Sequence, residues 1–304
     1  MNRVLRAAFH ASGGLKAARW IKRKRLRILM YHRFRDRAAI ERQCAHLRAH
    51  YTPVSLMQTA EWLLAGGGWP DNALAVTVDD GYRDFYRVAW PVFREYGIPA
   101  TVYLVTDFLD GHSWLWVDRV RWMFLQSPCA SATREERLRK AHEAIETAKR
   151  ISNHDRLAWL ERLPGELGVR APVEVPTEYE PMRWDEVREA ASAGVEFGAH
   201  TRSHPILSML SGERELEDEI AGSKRRIEEQ LGRRVDHFCY PNGSLSDFND
   251  TAVETARAAG FRTAVTTEPG LVSGSADVLR LRRIGVSPDY DGDYFAECAA
   301  GIHL

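Results

Sequence analysis

The sequence predicts an α/β fold in which parallel strands form a closed or nearly closed barrel. Short apolar, β-rich runs alternate along the chain with helical patterns, which favours a parallel sheet covered by helices. Seven such runs occur, and this number suits a barrel better than a small open sheet, although an open doubly wound sheet is the alternative. With 304 residues, 44% of them hydrophobic, the chain can bury a sizeable core.

The predicted strands share a short apolar run that ends in polar or turn-forming residues. They are RILMYH (27–32), ALAVTVDD (73–80), ATVYLV (100–105), VEFGAH (195–200), HFCYP (237–241), TAVTT (263–267) and LRRIGV (281–286). Between them, helical spacing predicts helices near 39–50, 55–65, 85–96, 211–231 and 249–259, with Pro91 breaking the third of these.

The stretch 111–182 is helical in pattern and rich in charge. Strands resume after it, so we interpret it as a helical insertion in one domain that spans 26–304. Three tryptophans near its start, Trp114, Trp116 and Trp122, are typical of a helix core, with a glycan-binding groove as the alternative.

Charge is balanced over the whole chain but not along it. Lys+Arg and Asp+Glu number 42 each, so no global field recruits nucleic acid and we predict no nucleic-acid partner. Residues 1–35 nevertheless contain eleven Arg or Lys and no acid. We define 1–25 as a basic N-terminal arm, which is either a solvated leader or a contact with anionic lipid headgroups or an acidic partner.

The cysteines and the hydropathy pattern predict a cytoplasmic protein. Cys44, Cys129, Cys239 and Cys298 are scattered and form no CxxC pair, as expected of reduced thiols. No stretch is long and apolar enough to span a bilayer, and the first residues lack the uninterrupted apolar core of a secretory signal. Association with the cytoplasmic face of a membrane stays open.

Chemically active side chains gather where predicted strands end. His32, the pair Asp79-Asp80, His200 and the turn 241–243 each follow an apolar run. In a parallel barrel the carboxyl ends of the strands share one face, and active sites are built there. Residues far apart in the sequence are therefore expected to converge.

Two histidines and a carboxylate suggest a metal centre at this face. His200 and His204 with one acid of the Asp79-Asp80 pair form a three-ligand set that leaves positions open for water and substrate. The neighbouring acid is then free to act as a general base. The alternatives are a hairpin turn at Asp80-Gly81 and solvated loop histidines.

At these residues the sequence resembles the polysaccharide deacetylases with a NodB-homology domain, carbohydrate esterase family 4. TVDDG (77–81) is similar to the family's T-F-D-D-G motif, with Val78 in place of Phe. HTRSHP (200–205) matches H-[ST]-x-x-H-P at every defined position, and FCYPNG (238–243) resembles F-x-[YP]-P-Y-G. The matches run in the expected order from about 26 to 290.

The resemblance implies a deformed (β/α)7 barrel and metal-dependent removal of N-acetyl groups from N-acetylhexosamine units, with release of acetate. It assigns Asp80, His200 and His204 as metal ligands and Asp79 as the general base that activates water. The backbone N–H of Asn242 would stabilise the oxyanion. The ion is expected to be divalent, zinc first, with iron, cobalt or nickel as alternatives.

Two positions depart from the family pattern. Many members carry an arginine in the third motif that tethers the base, where this chain has Cys239, and many supply the general acid from a C-terminal histidine, which LRRIGV lacks. In both departures the sequence resembles the branch of poly-N-acetylglucosamine and exopolysaccharide deacetylases, which begin with a Tyr-His strand. We therefore predict that His32 is the acid and that Arg283 replaces the tether.

Three functions stay open at this stage. The first is an N-deacetylase whose partner is an N-acetylated poly- or oligosaccharide. The second is an O-acetyl esterase or a non-sugar amidase on the same fold, since the same machinery serves both. The third is an inactive carbohydrate-binding module, against which the intact acid pair and histidines argue. The sequence does not indicate an oligomeric state.

Overall fold

A computed structural model describes Arg6 and residues 9–112, 114–128, 133–170 and 174–304. In these ranges the chain forms one parallel sheet of eight strands around which the helices pack. The strands are β1 (Arg27–Tyr31), β2 (Thr52–Pro53), β3 (Ala73–Val78), β4 (Ala100–Leu104), β5 (Glu196–Ala199), β6 (His237–Cys239), β7 (Thr263–Pro269) and β8 (Leu281–Gly285).

The sheet closes on itself through seven of these strands. Strand β1 pairs with β8 on one side and with β3 on the other, and β3 to β8 follow in sequence order. The predicted (β/α)7 barrel is therefore confirmed. The eighth strand, β2, pairs with the start of β3 outside the ring. It was not predicted, because two residues carry no periodic pattern.

Twelve α-helices surround the barrel in the described ranges. They are Gly14–Ile21, Arg37–His50, Leu56–Leu64, Trp90–Glu95, Thr106–Leu109, Trp116–Gln126, Arg134–Ala148, Asn153–Leu167, Trp184–Ser192, Glu213–Leu231, Asp250–Ala258 and Gly292–Ala299. The predicted break at Pro91 is present: a π-helical turn, Phe85–Ala89, precedes the helix that carries this proline in its first turn. Proline has no N–H for the helical ladder, so the ladder changes here.

Side chains alternate between the inside and the outside of the barrel. On β3, Leu74 and Val76 join the large apolar cluster that includes residues of the outer helices, whereas Ala75 joins a second cluster with Tyr103. Close packing around Tyr103 explains the glycine of β5, because a Cβ atom at Gly198 would lie 2.5 Å from the Tyr103 ring. This alternation follows from the period of two in a strand.

The stretch between β4 and β5 is helical, as the charge and periodicity predicted. Three of its helices, Trp116–Gln126, Arg134–Ala148 and Asn153–Leu167, share an apolar cluster that contains Trp116. Trp116 is buried in this cluster, which fits the core interpretation. Ser113, 129–132 and 171–173 lie outside the described residues, and Cys129 with them. Cys44, Cys239 and Cys298 are free thiols.

The described part of the basic N-terminal arm packs against the C-terminal helix, Gly292–Ala299. Arg6 Nε lies 3.2 Å and His10 Nε2 lies 2.9 Å from a carboxylate oxygen of Glu297, which is buried. Trp20 and Ile21 remain 64% and 70% exposed. None of the described helices combines the length and apolarity needed to cross a membrane.

Candidate active site

The barrel brings the residues predicted for the site to one face. His32 follows β1, Asp79-Asp80 follow β3, His200 follows β5 and Asn242 lies three residues beyond β6. These residues and His204 line a single cleft of about 640 Å3. Arg283 lies within β8 below the cleft, is fully buried and reaches Asp79.

Asp80, His200 and His204 converge on a common point. The Nε2 atoms of His200 and His204 lie 3.5 Å and 3.6 Å from Oδ1 of Asp80. Bonds of about 2.0–2.2 Å to a tetrahedral ion place ligand atoms roughly 3.3–3.6 Å apart. All three side chains are buried. The described donor set therefore fits a divalent cation with open positions for water and substrate.

Neighbouring groups aim these ligands and set their charge. The Nδ1 atom of His200 lies 2.7 Å from the Cys239 carbonyl oxygen, so Nδ1–H donates to it and the Nε2 lone pair faces Asp80. Burial and His200 lower the pKa of His204 to about 3, which keeps this imidazole neutral, as a ligand must be. Burial would raise the pKa of Asp80, but its interactions with the neighbouring imidazoles, that of His200 first, lower it.

Asp79 is held by Arg283 and not by the histidines. Arg283 donates from Nη1 to Oδ1 and from Nη2 to Oδ2 of Asp79, both at 2.7 Å, and Nη1 also lies 3.1 Å from Thr77 Oγ1. Burial opposes ionisation of Asp79, but the charge and hydrogen bonds of Arg283, followed by His32 and His200, lower its pKa. The acid is thus a fixed carboxylate, the state required of a general base.

Cys239 occupies the position where many family members carry the tethering arginine. Its Sγ atom lies 3.2 Å from Arg283 Nη2 and 3.6 Å from Asp79 Oδ2. The Arg283 guanidinium, from β8, thus lies between this thiol and the Asp79 carboxylate it binds. Asp79, His200 and Cys239 also lie close enough to hold a metal, but Arg283 already engages both oxygens of Asp79.

His32 lies on the solvent side of Asp79. Its Nε2 atom is 3.7 Å from Asp79 Oδ2, and its side chain is 46% exposed. An imidazole at the mouth of the cleft can reach a leaving group and exchange protons with water. This placement is compatible with the predicted general acid, and that role stays a prediction.

Asn242 lines the cleft, and its backbone N–H is unpaired among the described residues. Its φ angle is 58°, and its carbonyl accepts a hydrogen bond of 2.7 Å from Thr267 Oγ1. Within the described part of the chain, its N–H has no acceptor and its buried Nδ2 has no partner. A free N–H fixed in this way is the group that an oxyanion requires.

Backbone strain concentrates around the cleft. Five non-glycine residues in the described ranges have a positive φ, and four of them belong to the site loops. These four are Asp80, Thr201, His204 and Asn242. Each such conformation costs about 1–3 kcal/mol and persists where the surrounding structure enforces it. Thr201 shows how: its Oγ1 donates to the His200 carbonyl and accepts the His204 N–H at 3.0 Å.

The sequence did not reveal two contacts that the insertion makes with the site. Trp116 donates from Nε1 to the His204 carbonyl at 3.2 Å, and Arg156 stacks on the Trp116 ring. Tyr82 donates its hydroxyl to Asp118, and both line the cleft. Tyr82 follows the acid pair closely enough to be suspected, but no local pattern distinguishes Asp118 from other helix-surface acids.

A closed parallel barrel with an acid pair and two histidines at the carboxyl ends of its strands is typical of the α/β-barrel enzymes, which build their active sites at this face. Residues 67–264 match the family model for polysaccharide deacetylase. The chain belongs to this family.

Three relatives illustrate the similarity. The Bacillus subtilis (strain 168) protein "Putative polysaccharide deacetylase YxkH" is 22% identical over 287 residues, which cover 91% of this chain and 77% of that protein. Poly-beta-1,6-N-acetyl-D-glucosamine N-deacetylase of Escherichia coli (strain K12) is 35% identical over 74 residues, covering 24% of this chain and 11% of that protein. The solved structure of Streptococcus pyogenes deacetylase PplD in complex with acetate aligns with a TM-score of 0.63 at 19% identity, covering 90% and 98% of the two chains.

Proposed function

We propose that this protein is a metal-dependent hydrolase that removes N-acetyl groups from N-acetylhexosamine units of a polysaccharide or its precursor. One observation carries the proposal: two adjacent acids have different partners. Asp80 faces His200 and His204, whereas Asp79 is gripped by Arg283. A ligand and a base are thus supplied by consecutive residues, an arrangement that sugar binding alone does not require.

The metal would be held by Asp80, His200 and His204. Bound there, a divalent ion, zinc in the first instance, supplies Lewis acidity toward an amide carbonyl and lowers the pKa of water. Iron, cobalt and nickel accept the same donor set.

The remaining steps belong to this chain's own residues. Asp79, ionised and fixed by Arg283, takes a proton from the water that attacks the acetamide carbon. The Asn242 N–H donates to the oxygen that becomes negative as the carbon turns tetrahedral. His32 gives a proton to the amide nitrogen as the C–N bond breaks. The products are acetate and a free amine on the sugar.

Acetate release from N-acetylglucosamine oligomers tests the proposal, with the metal removed by chelation and then restored. We expect release by the metal-loaded protein, loss on chelation and recovery with zinc. O-acetylated xylan oligomers and acetanilide serve as parallel substrates for the esterase and amidase alternatives. Faster turnover of either than of the N-acetylated sugar would contradict N-deacetylation, and absence of bound metal would favour a carbohydrate-binding module.

A further inference from the structure

The cleft extends well beyond the residues that carry the proposed chemistry. Besides the site residues it is lined by the segment after β1 and by helices Trp116–Gln126 and Arg134–Ala148 of the insertion. Its volume of about 640 Å3 is in the range of sites that enclose a drug-sized ligand, comparable to a short oligosaccharide. A glycan bound at the site would therefore place the units next to the reacting one against the insertion.

This outer part of the cleft carries more cations than acids. Five cationic side chains face three acids once the catalytic pair is set aside. The cations are Arg33, Arg35, Arg121, Arg134 and Lys149, and the acids are Asp118, Glu146 and Glu178.

Two of these five cations are already paired, Arg33 with Asp84 at 2.7 Å and Lys149 with Glu146 at 2.8 Å. Positive charge for a ligand therefore comes from the other three. Arg35 and Arg134 form no ion pair with any described residue. Arg121 Nη1 lies 2.9 Å from Asp118, but that carboxylate already accepts the hydroxyl of Tyr82. Arg121 is half-exposed and uses only Nη1 in this pair among the described residues, so its Nε and Nη2 groups remain for a ligand. Guanidinium groups at the rim of a cleft can pair two N–H groups with two oxygens of a phosphate or carboxylate.

We propose that the outer cleft binds a negatively charged group, phosphate or carboxylate, on the unit next to the acetylated sugar, with Arg121 and Arg134 as its contacts. The inference rests on the proposed function in taking the ligand to be an acetylated glycan. It adds a substrate class: acidic or phosphorylated glycans, rather than neutral ones.

Binding to the metal-loaded Asp79→Asn variant, measured by calorimetry, tests this assignment without turnover. The ligands are a neutral N-acetylglucosamine tetramer, the same tetramer with a phosphate ester, and a hyaluronan tetrasaccharide, which carries uronate. We expect at least one charged ligand to bind about tenfold more tightly than the neutral one, and the preference to shrink at high salt. Comparison of the phosphorylated tetramer with the hyaluronan tetrasaccharide shows whether phosphate or carboxylate is preferred.

Variants locate the contact. Arg121→Gln with Arg134→Gln should reduce the charged-to-neutral ratio of affinities at least about fivefold, and Arg121→Lys with Arg134→Lys should retain most of it. The matched control is Arg139→Gln, on the same helix as Arg134, since Arg139 pairs with Glu143 and does not line the cleft. It should leave the ratio unchanged.

Equal affinities for neutral and charged tetramers would overturn the inference, as would an unchanged ratio in the glutamine variant. The outcome is independent of the reaction, because binding is read without acetate release. Preferential binding of charged sugars by a protein that releases no acetate would refute the proposed function and sustain the anionic subsite.

Discussion

Two fully buried arginines lie in neighbouring strands of the barrel, and their surroundings differ. Arg27 begins β1 at the amino end of the barrel, and Arg283 lies in β8 below the carboxyl end. Arg27 donates only to backbone carbonyls, those of Lys22, Arg25 and Ala299. Arg283 donates to the carboxylate of Asp79 from both terminal nitrogens.

The two environments act on the guanidinium groups in opposite directions. Burial lowers the pKa of Arg27, whose acceptors are neutral. Burial also opposes the charge of Arg283, but Asp79 and Cys239 raise its pKa. A buried arginine bonded to carbonyls ties chain segments together, here the basic arm and the C-terminal helix to β1. A buried arginine paired with an ionised acid fixes a charge, and the acid it fixes faces the cleft.

The largest effect is expected from Arg283→Met. Asp79 would keep its burial and lose its partner, so we expect kcat/KM to fall about 10²-fold because the base is misplaced. Stability should also fall, by about 3–5 kcal/mol, since one charge is left unpaired. Acetate-release kinetics and urea unfolding measure the two effects, and Arg283→Lys should restore part of the activity. Full activity in the methionine variant would remove Arg283 from its positioning role.

His32→Ala tests the other neighbour of Asp79. Because the imidazole is half-exposed and water can partly replace it, we expect about a tenfold lower kcat. The pH–rate profile should change, because the proposed proton donor to the leaving amine is removed. Stability should stay within about 0.5 kcal/mol, as for other exposed positions. A profile identical to that of the wild type would mean that another group protonates the leaving amine.

Arg27→Met is the matched substitution at the amino end. It removes the donor of the buried Ala299 carbonyl and of the partly buried Arg25 carbonyl, so we expect a loss of about 1–3 kcal/mol in the free energy of unfolding. The kcat/KM of the folded fraction should stay within about twofold, because Arg27 does not line the cleft and its hydrogen-bond acceptors lie at the other end of the barrel. A catalytic defect as large as that of Arg283→Met would erase the distinction between the two ends of the barrel.

The smallest effect concerns the basic arm that Arg27 helps to hold. Trp20 and Ile21 are exposed beside Lys22–Arg25, the composition of a segment that binds anionic lipid surfaces. If the arm contacts membranes, co-sedimentation should be a few-fold stronger with phosphatidylglycerol vesicles than with phosphatidylcholine vesicles, and weaker with Trp20→Ala and in salt. Equal recovery with both vesicles would identify the arm as a solvated leader.

The sequence anticipated the carboxyl end of the barrel better than its surroundings. Motifs after four strands located His32, Asp79, Asp80, His200 and Asn242. This was possible because the topology of a parallel barrel brings the carboxyl ends of its strands to one face. The contact between Arg283 and Asp79 could be suggested only from the cysteine at position 239, since nothing local to LRRIGV indicates where a buried guanidinium points.

The insertion was the least predictable part. Its helices were evident from periodicity, but their placement over the cleft depends on contacts between distant residues, such as Trp116 with the His204 carbonyl. The sequence does not indicate where an exposed arginine lies in the fold. The position of Arg121 and Arg134 in the outer cleft is therefore evident only from the packed structure. Strand β2 was not predicted for a different reason: it is only two residues long.

The most direct test of the account compares Asp79→Asn with Asp80→Asn, measuring bound metal and acetate release for each after identical loading with zinc. The account predicts that Asp79→Asn holds one metal ion per chain and loses release by about 10²-fold or more, whereas Asp80→Asn loses the metal and the activity together. Loss of metal from Asp79→Asn, or its retention by Asp80→Asn, would contradict the division of roles between the two acids.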